Sequence, residues 1–266
     1  MTTVLVDSHV HYYHCFGALG FLEAASGAFR AAAEELHLPA ETPGCLLMTE
    51  TPDVHFFRTL RQRTNVGPWM IGDGGDEALL IARKDQQSLW IVAGRQIATT
   101  ERLEVLALGR DREYPCSLAL ASAIDTAVEA GAIPVIPWGF GKWTGSRAGL
   151  VRDVVHEAMQ GDLFLGDNGG RLALGRRPAL FSEAEQRGIA VLPGSDPLPF
   201  RHQVNKVGRY GLRVEVEGDS NGPLVGLMTA IRRLSLPVTV YGRLERLFAF
   251  CRCQVAMQVR RFGPTS

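Results

Sequence analysis

The chain has 266 residues, 46% of them hydrophobic and 21% charged, an ordinary balance for a globular protein with a core of useful size. Its 28 basic residues match 28 acidic ones, so no overall field draws it to nucleic acid or to an anionic membrane. No apolar run reaches the roughly 18 residues of a membrane span, and no basic-then-apolar leader opens the chain. The five cysteines, at 15, 45, 116, 251 and 253, follow no ligand or disulfide spacing. They are expected to be reduced and mostly buried, in a cytoplasmic protein.

In chain order, the first strand is VLV at 4–6, which runs into Asp7 and then His9, His11 and His14. An alanine- and glutamate-rich stretch over 19–36 has helical period. CLLM at 45–48 reads as the second strand, and Pro52 suits the start of a helix carrying Val54, Phe57, Leu60 and Arg61. The middle changes character. ALLIAR at 78–83, LWIVAGRQIAT at 89–99 and LEVLAL at 103–108 follow one another with turns and no helix between them. GDGGDE at 72–77 reads as a turn, and KDQQ at 84–87 closes a hairpin. The region is an antiparallel or mixed insert.

Alternation then resumes. A helix over 117–131 ends at a glycine and leads to the strand AIPVIPW, the helix RAGLVRDVVHEAMQG and the strand DLFLGDNGG. PALFSEAEQRG is the next helix, IAVLPGSDP the next strand, and LRVEVEG with GPLVGLMTAIRRL complete the series. Repeated strand–helix units predict an α/β protein with a parallel sheet, and the absence of a linker favours one domain over 1–266. A terminal amphipathic helix is expected at about 243–262, with Leu244, Leu247, Phe248, Cys251, Val255 and Val259 on one face and arginines on the rest. It reads as a final helix packed on the fold, the alternative being contact with a partner or a membrane surface.

The chemistry lies at the strand ends. In parallel α/β folds the loops after the carboxyl ends of the strands converge on one face, where ligands bind. Side chains at i and i+2 of an extended segment point to one side, so His9 and His11 can reach a single ion. Imidazoles with a carboxylate from another strand suit zinc, manganese or iron, and Asp7 is expected to accept a ring N–H behind them. Asn168 and Arg171 in GDNGGR, and Lys142 in GFGKWTGSR, suit a small anionic ligand, though ordinary surface loops explain both segments as well. His202 is a lone histidine, more often a surface residue than a ligand. Neither a GxSxG nor a P-loop pattern occurs.

VDSHVH near the start and LPGSDPLP late in the chain resemble the metal-dependent hydrolases of the polymerase-and-histidinol-phosphatase (PHP) superfamily, with the amidohydrolases as a second template. The resemblance implies a TIM-like, distorted β/α barrel, into which the strand runs around 78–108 would fit as an antiparallel insert. It further implies hydrolysis of a phosphoester or amide-like bond through metal-activated water. The arginine-rich loops favour a small anionic substrate, and the balanced charge gives no reason to expect a nucleic-acid partner. His9, His11 and Asp196 match metal-binding positions, and Glu50 in MTET replaces an aspartate as a further ligand. Asp196 or Glu104 would act as the catalytic carboxylate. Thr51, Gln96, Trp138 and Leu198 stand where the family places other ligands, which points to one divalent ion, zinc, manganese or iron, rather than a cluster. The alternative is a catalytically silent relative that binds a small anionic ligand or a protein through the same pocket.

Overall fold

The computed structural model describes residues 1–218 and 220–262, with side chains described as far as 258 in the last helix. In order, the elements are β1 (Thr2–Val10), α1 (Ala18–Glu35), β2 (Gly44–Met48), α2 (Phe56–Arg61), β3 (Asn65–Val66), β4 (Trp69–Asp76), β5 (Leu79–Lys84) and β6 (Gln87–Val92). They continue with β7 (Gly94–Ala98), β8 (Glu104–Leu108), α3 (Leu120–Glu129), β9 (Ile133–Pro137), α4 (Ser146–Glu157), β10 (Phe164–Asn168), α5 (Ala179–Gln186) and β11 (Val191–Gly194). After a 3-10 segment at Arg201–Lys206 come β12 (Tyr210–Val216), α6 (Pro223–Arg232), β13 (Val240–Gly242) and α7 (Leu247–Phe262). Gly263, at the end of the expected terminal segment, lies outside the described residues, as do the side chains of Val259, Arg260 and Arg261. Among the described residues no helix is long and apolar enough to cross a membrane.

The strands form an eight-stranded sheet of order β13-β12-β1-β2-β6-β5-β4-β3 and a five-stranded sheet of order β11-β10-β9-β8-β7. β1, β2 and β6 pair in parallel, as do β9, β10 and β11, whereas β3 to β6 and β7 to β9 pair antiparallel with their neighbours in sequence. The antiparallel insert is therefore real but divided between the sheets. The run at 89–99 breaks at Ala93, and the chain crosses from one sheet to the other at Gly94.

GDGGDE corrects another expectation. Its residues 72–76 lie within β4 and only Glu77 enters the turn to β5, and the register shifts between Asp73 and Asp76, as at a bulge. A Cβ at Gly74 would stand 2.3 Å from the Leu79 side chain, so the glycine makes room for its partner strand. The helix expected from Pro52 starts later, at Phe56.

Burial on both faces explains why the parallel strands read as unbroken apolar runs. On β8, Leu106 and Leu108 join the large cluster that also holds β1, β2 and α1. Their neighbours Val105 and Ala107 turn the other way, into a second cluster with α3, α4 and α5. Helix α1 buries Phe21, Leu22, Ala25, Phe29, Ala32 and Ala33, one face of a 3.6-residue period.

Backbone hydrogen bonds join the two sheets at the ends of β2 and β1. Glu50 N–H donates to Gly94 O (3.1 Å) and Gln96 N–H to Glu50 O (2.9 Å), linking the end of β2 to β7. At the other side Asp196 N–H donates to His9 O (2.9 Å), linking the turn after β11 to β1. The second junction needs Gly194, where an added Cβ would lie 2.4 Å from His9 Cβ and 2.5 Å from His9 N.

Asp7 fastens the same junction from below. It is fully buried, and its carboxylate accepts N–H groups from Ser195 (2.8 Å), Gly208 (2.9 Å) and His9 (3.3 Å). Burial pushes its pKa up to about 7, against the downward pull of these donors. The donors are backbone groups rather than an imidazole, so Asp7 clamps the fold and does not orient a ring as expected.

Truncating the clamp as Asp7→Ala orphans buried N–H groups and should cost about 3 kcal/mol, or roughly 6–12 °C in Tm. An unchanged melting curve would contradict the clamp. Gly194→Ala should likewise lower Tm, while Gly20→Ala, in an open helical position, should raise stability by about 0.5–1 kcal/mol.

Candidate metal centre

The end of β1 carries the two imidazoles. Their spacing places both rings on one side of the extended chain, and His9 Nε2 and His11 Nε2 stand 3.1 Å apart. Asp196 arrives from the turn after β11, with a positive φ of 42° that its bond to the His9 carbonyl helps to hold. Its Oδ1 lies 3.6 Å from each Nε2. A tetrahedral ion with bonds of about 2.1 Å separates neighbouring ligand atoms by roughly 3.4 Å, so the three donors fit such an ion with a position left open. The His9 and His11 side chains are 5% and 8% exposed, which shields an ion from bulk water.

The electrostatics suit ligation. Burial, followed by the neighbouring His9, pushes His11 down to about 4, leaving a neutral ring with a free lone pair at pH 7. Burial acts to raise Asp196, but His9, His11, Lys142 and Asn168 outweigh it and hold the carboxyl below its usual range. Asn168, at the end of β10, donates through Nδ2 to Asp196 Oδ2 and accepts the Gly170 N–H at 2.6 Å. One oxygen of Asp196 thus faces the imidazoles while the other is fixed by an amide.

Lys142 and Glu104 form an ion pair beside this group. β8 runs antiparallel to β9, which brings its first residue, Glu104, to the end where the loop after β9 carries Lys142. The other expected residues stand apart. Glu50 is buried, but one oxygen accepts the Phe57 N–H at 2.7 Å and the other lies 3.4 Å from Arg95 Nη1. Burial pushes it up to about 7. Among the described residues the clustered donors are His9, His11 and Asp196, without Glu50.

Arg171 is buried too, and its fork is committed to Asp167 at 2.8 and 2.9 Å, with Tyr210 donating to the same carboxylate at 2.9 Å. Trp138 and Leu198 line a cavity of about 60 Å³ beside Asp196, whereas Gln96 lies in a separate cavity with Glu50 and Arg95. His14 begins a 3-10 turn beyond the strand, and His202 contacts Gln203.

Two features escape sequence reasoning. Arg95 is 4% exposed and holds Glu50 and Glu113, a pairing that only strand register creates. Helix α7 covers the small cavity through Phe250, Cys253 and Gln254, with Phe250 packed edge-on to Phe140 and Cys253 Sγ accepting from Gln203. The apolar face expected on this helix is turned outward instead, with Leu247, Phe248, Cys251 and Val255 exposed. The cysteines also differ from expectation: Cys45 and Cys253 are buried, but Cys15, Cys116 and Cys251 are exposed.

No protein-family model and no curated protein matches the chain. Among solved structures, the crystal structure of PsfC from Pseudomonas syringae PB-5123 aligns over 98% of both chains, with a TM-score of 0.56 and 15% identity. A two-domain protein from Bacteroides vulgatus ATCC 8482, described as containing a predicted PHP-like metal-dependent phosphoesterase, aligns over 91% of this chain and 65% of its own at a TM-score of 0.45 and 13% identity. Endonuclease Q in complex with a 27-mer duplex bearing an abasic lesion aligns over 99% of this chain and 68% of its own, with a TM-score of 0.47 and 14% identity. The chain thus has a mixed α/β fold similar to that of PsfC along its whole length.

Proposed function

We propose that the chain is a metal-dependent hydrolase that holds one divalent ion on His9, His11 and Asp196 and acts on an anionic phosphoester. The observation that carries this reading is the set of three shielded donors at tetrahedral spacing, 3.1 and 3.6 Å apart. The motif resemblance to PHP hydrolases supports it, and so does the chain of links between the sheets. With the junctions at Glu50 and Asp196, the strands follow one another as β1, β2, β7, β8, β9, β10, β11 and back to β1. We read this ring as a distorted barrel in one domain, with the metal centre at one end.

When bound, the ion supplies Lewis acidity and lowers the pKa of water towards neutrality. Asn168 keeps Asp196 from rotating away from the imidazoles. Lys142 would offer a cation to an anionic group beside the site, and its ion-pair partner Glu104 would take a proton as general base. Trp138 and Leu198 make the wall beside Asp196 apolar where further ligands would otherwise stand, in keeping with a single ion.

One observation favours a second reading, that of a binding protein: the cavity beside Asp196 is only about 60 Å³ and lies under α7. Metal content and turnover separate the two. Protein purified without chelator and loaded with manganese or zinc should retain about one equivalent. The His9→Ala/His11→Ala double variant should fall below about a tenth of that, while Glu50→Gln keeps it. Metal retained in the double variant would contradict the site.

Hydrolysis of a phosphoester panel should be lost in Asp196→Ala. Glu104→Gln should lower kcat by about 10²-fold at unchanged metal content. Stoichiometric metal with no turnover of any phosphoester would favour the binding protein.

A further inference from the structure

A cleft of about 700 Å³ opens between α1 and the segment that leads into α7. Its volume falls in the usual range for small-molecule sites. The α1 wall is made of small residues, Ala24, Gly27, Ala28 and Ala31, which leave the space open. Lys206, Arg209, Arg243 and Arg246 also line the cleft, against only two acids, Glu35 and Glu245. Lys206 and Glu245 neutralise each other at 2.8 Å. Arg209, Arg243 and Arg246 are exposed and form no ion pair among the described residues.

These arginines sit on fixed backbone. Arg209 follows Gly208, whose N–H is held by the buried Asp7 carboxylate. Arg243 and Arg246 flank Glu245, which exchanges two backbone hydrogen bonds with the loop after β10: Glu245 N–H to Arg171 O and Ala173 N–H to Glu245 O, at 2.9 and 2.8 Å. Three guanidinium groups carried into one cleft without a carboxylate partner repel one another, and an oxyanion relieves that repulsion while matching their forked donors.

The cleft also adjoins the metal centre. Gly169 and Ser195 line it, and they are the chain neighbours of Asn168 and Asp196. The small cavity beside Asp196 shares Lys206 and Glu245 with the cleft, so that ion pair stands as a partition between the two spaces.

We propose that this cleft binds the phosphate end of a small phosphorylated substrate through Arg209, Arg243 and Arg246, with the remainder of the molecule directed past Lys206–Glu245 to the metal centre. The direction towards the centre rests on the hydrolase reading; anion binding in the cleft does not. The substrate class is accordingly a small molecule that carries an anionic anchor distinct from the bond that is cleaved.

The test is a calorimetric titration of the full chain with inorganic pyrophosphate in EDTA, at about 0.15 M salt. One site is expected. Affinity should fall by at least about tenfold in the Arg209→Ala/Arg243→Ala/Arg246→Ala variant. Binding should be unchanged in His9→Ala/His11→Ala, so a failed metal centre would leave this result intact. Should the triple variant melt early, Arg246→Ala alone, at an exposed position, should still weaken binding by about threefold.

The proposal is overturned if pyrophosphate does not bind in EDTA, or if its affinity survives both arginine variants. It is also overturned if a single-stranded DNA of about 20 nucleotides binds more tightly than pyrophosphate with the same arginine dependence, which would make the surface a nucleic-acid site.

Discussion

The buried carboxylate of Asp7 is the interaction on which the rest depends. A charge taken fully out of water is costly unless it is met by donors, and here three backbone N–H groups meet it. They come from β1 itself, from the turn after β11 and from the approach to β12, segments about 190 and 200 positions apart in the chain. One side chain thus fixes the place where first and late strands meet. Gly194 allows the two backbones to touch, and the His9 carbonyl receives the Asp196 N–H. His9, His11 and Asp196 are brought together by this junction rather than by attraction among themselves.

Much of the fold is legible in the sequence because its strands are buried on both sides and its helices on one. β2, β9, β10 and β11 appear as compact apolar runs, and α1, α3 to α6 as periodic segments with glycine or proline at their limits. β4 is not legible, since WMIGDGGD carries the composition of a turn and gains strand geometry only by pairing with β5. The pairing of His9 and His11 on one side of β1 is legible because a period of two is local. Glu50 is not, because its direction is settled by Arg95, which strand order brings to it from a different sheet. Asp7 was open to the same error: an acid two residues from a histidine looks like its hydrogen-bond partner until the backbone donors around it are seen.

Net charge near zero does not tell which charges are paired. Asp167 with Arg171, and Glu50 with Arg95, spend their charges on holding loops in place. Arginine-rich loops that suit an anion by composition therefore divide into two kinds. Arg171 is committed to structure, while Arg209, Arg243 and Arg246 line an open cleft and form no ion pair among the described residues. Only the partners in space separate these roles, and sequence spacing carries no trace of them. Helix α7 shows the same limit, for its outward face is the more apolar by sequence and its inward face is chosen by Phe140 and Gln203.

The central claim is that β1 and the turn after β11 jointly hold one ion. Anomalous diffraction from a manganese-soaked crystal of the full chain, recorded at the metal's absorption edge, addresses it without reference to any substrate. One peak within about 2.3 Å of His9 Nε2, His11 Nε2 and Asp196 Oδ1 is the predicted result. Unaltered 3.1 and 3.6 Å spacings with no density between the three donors, or a peak centred elsewhere, would contradict it.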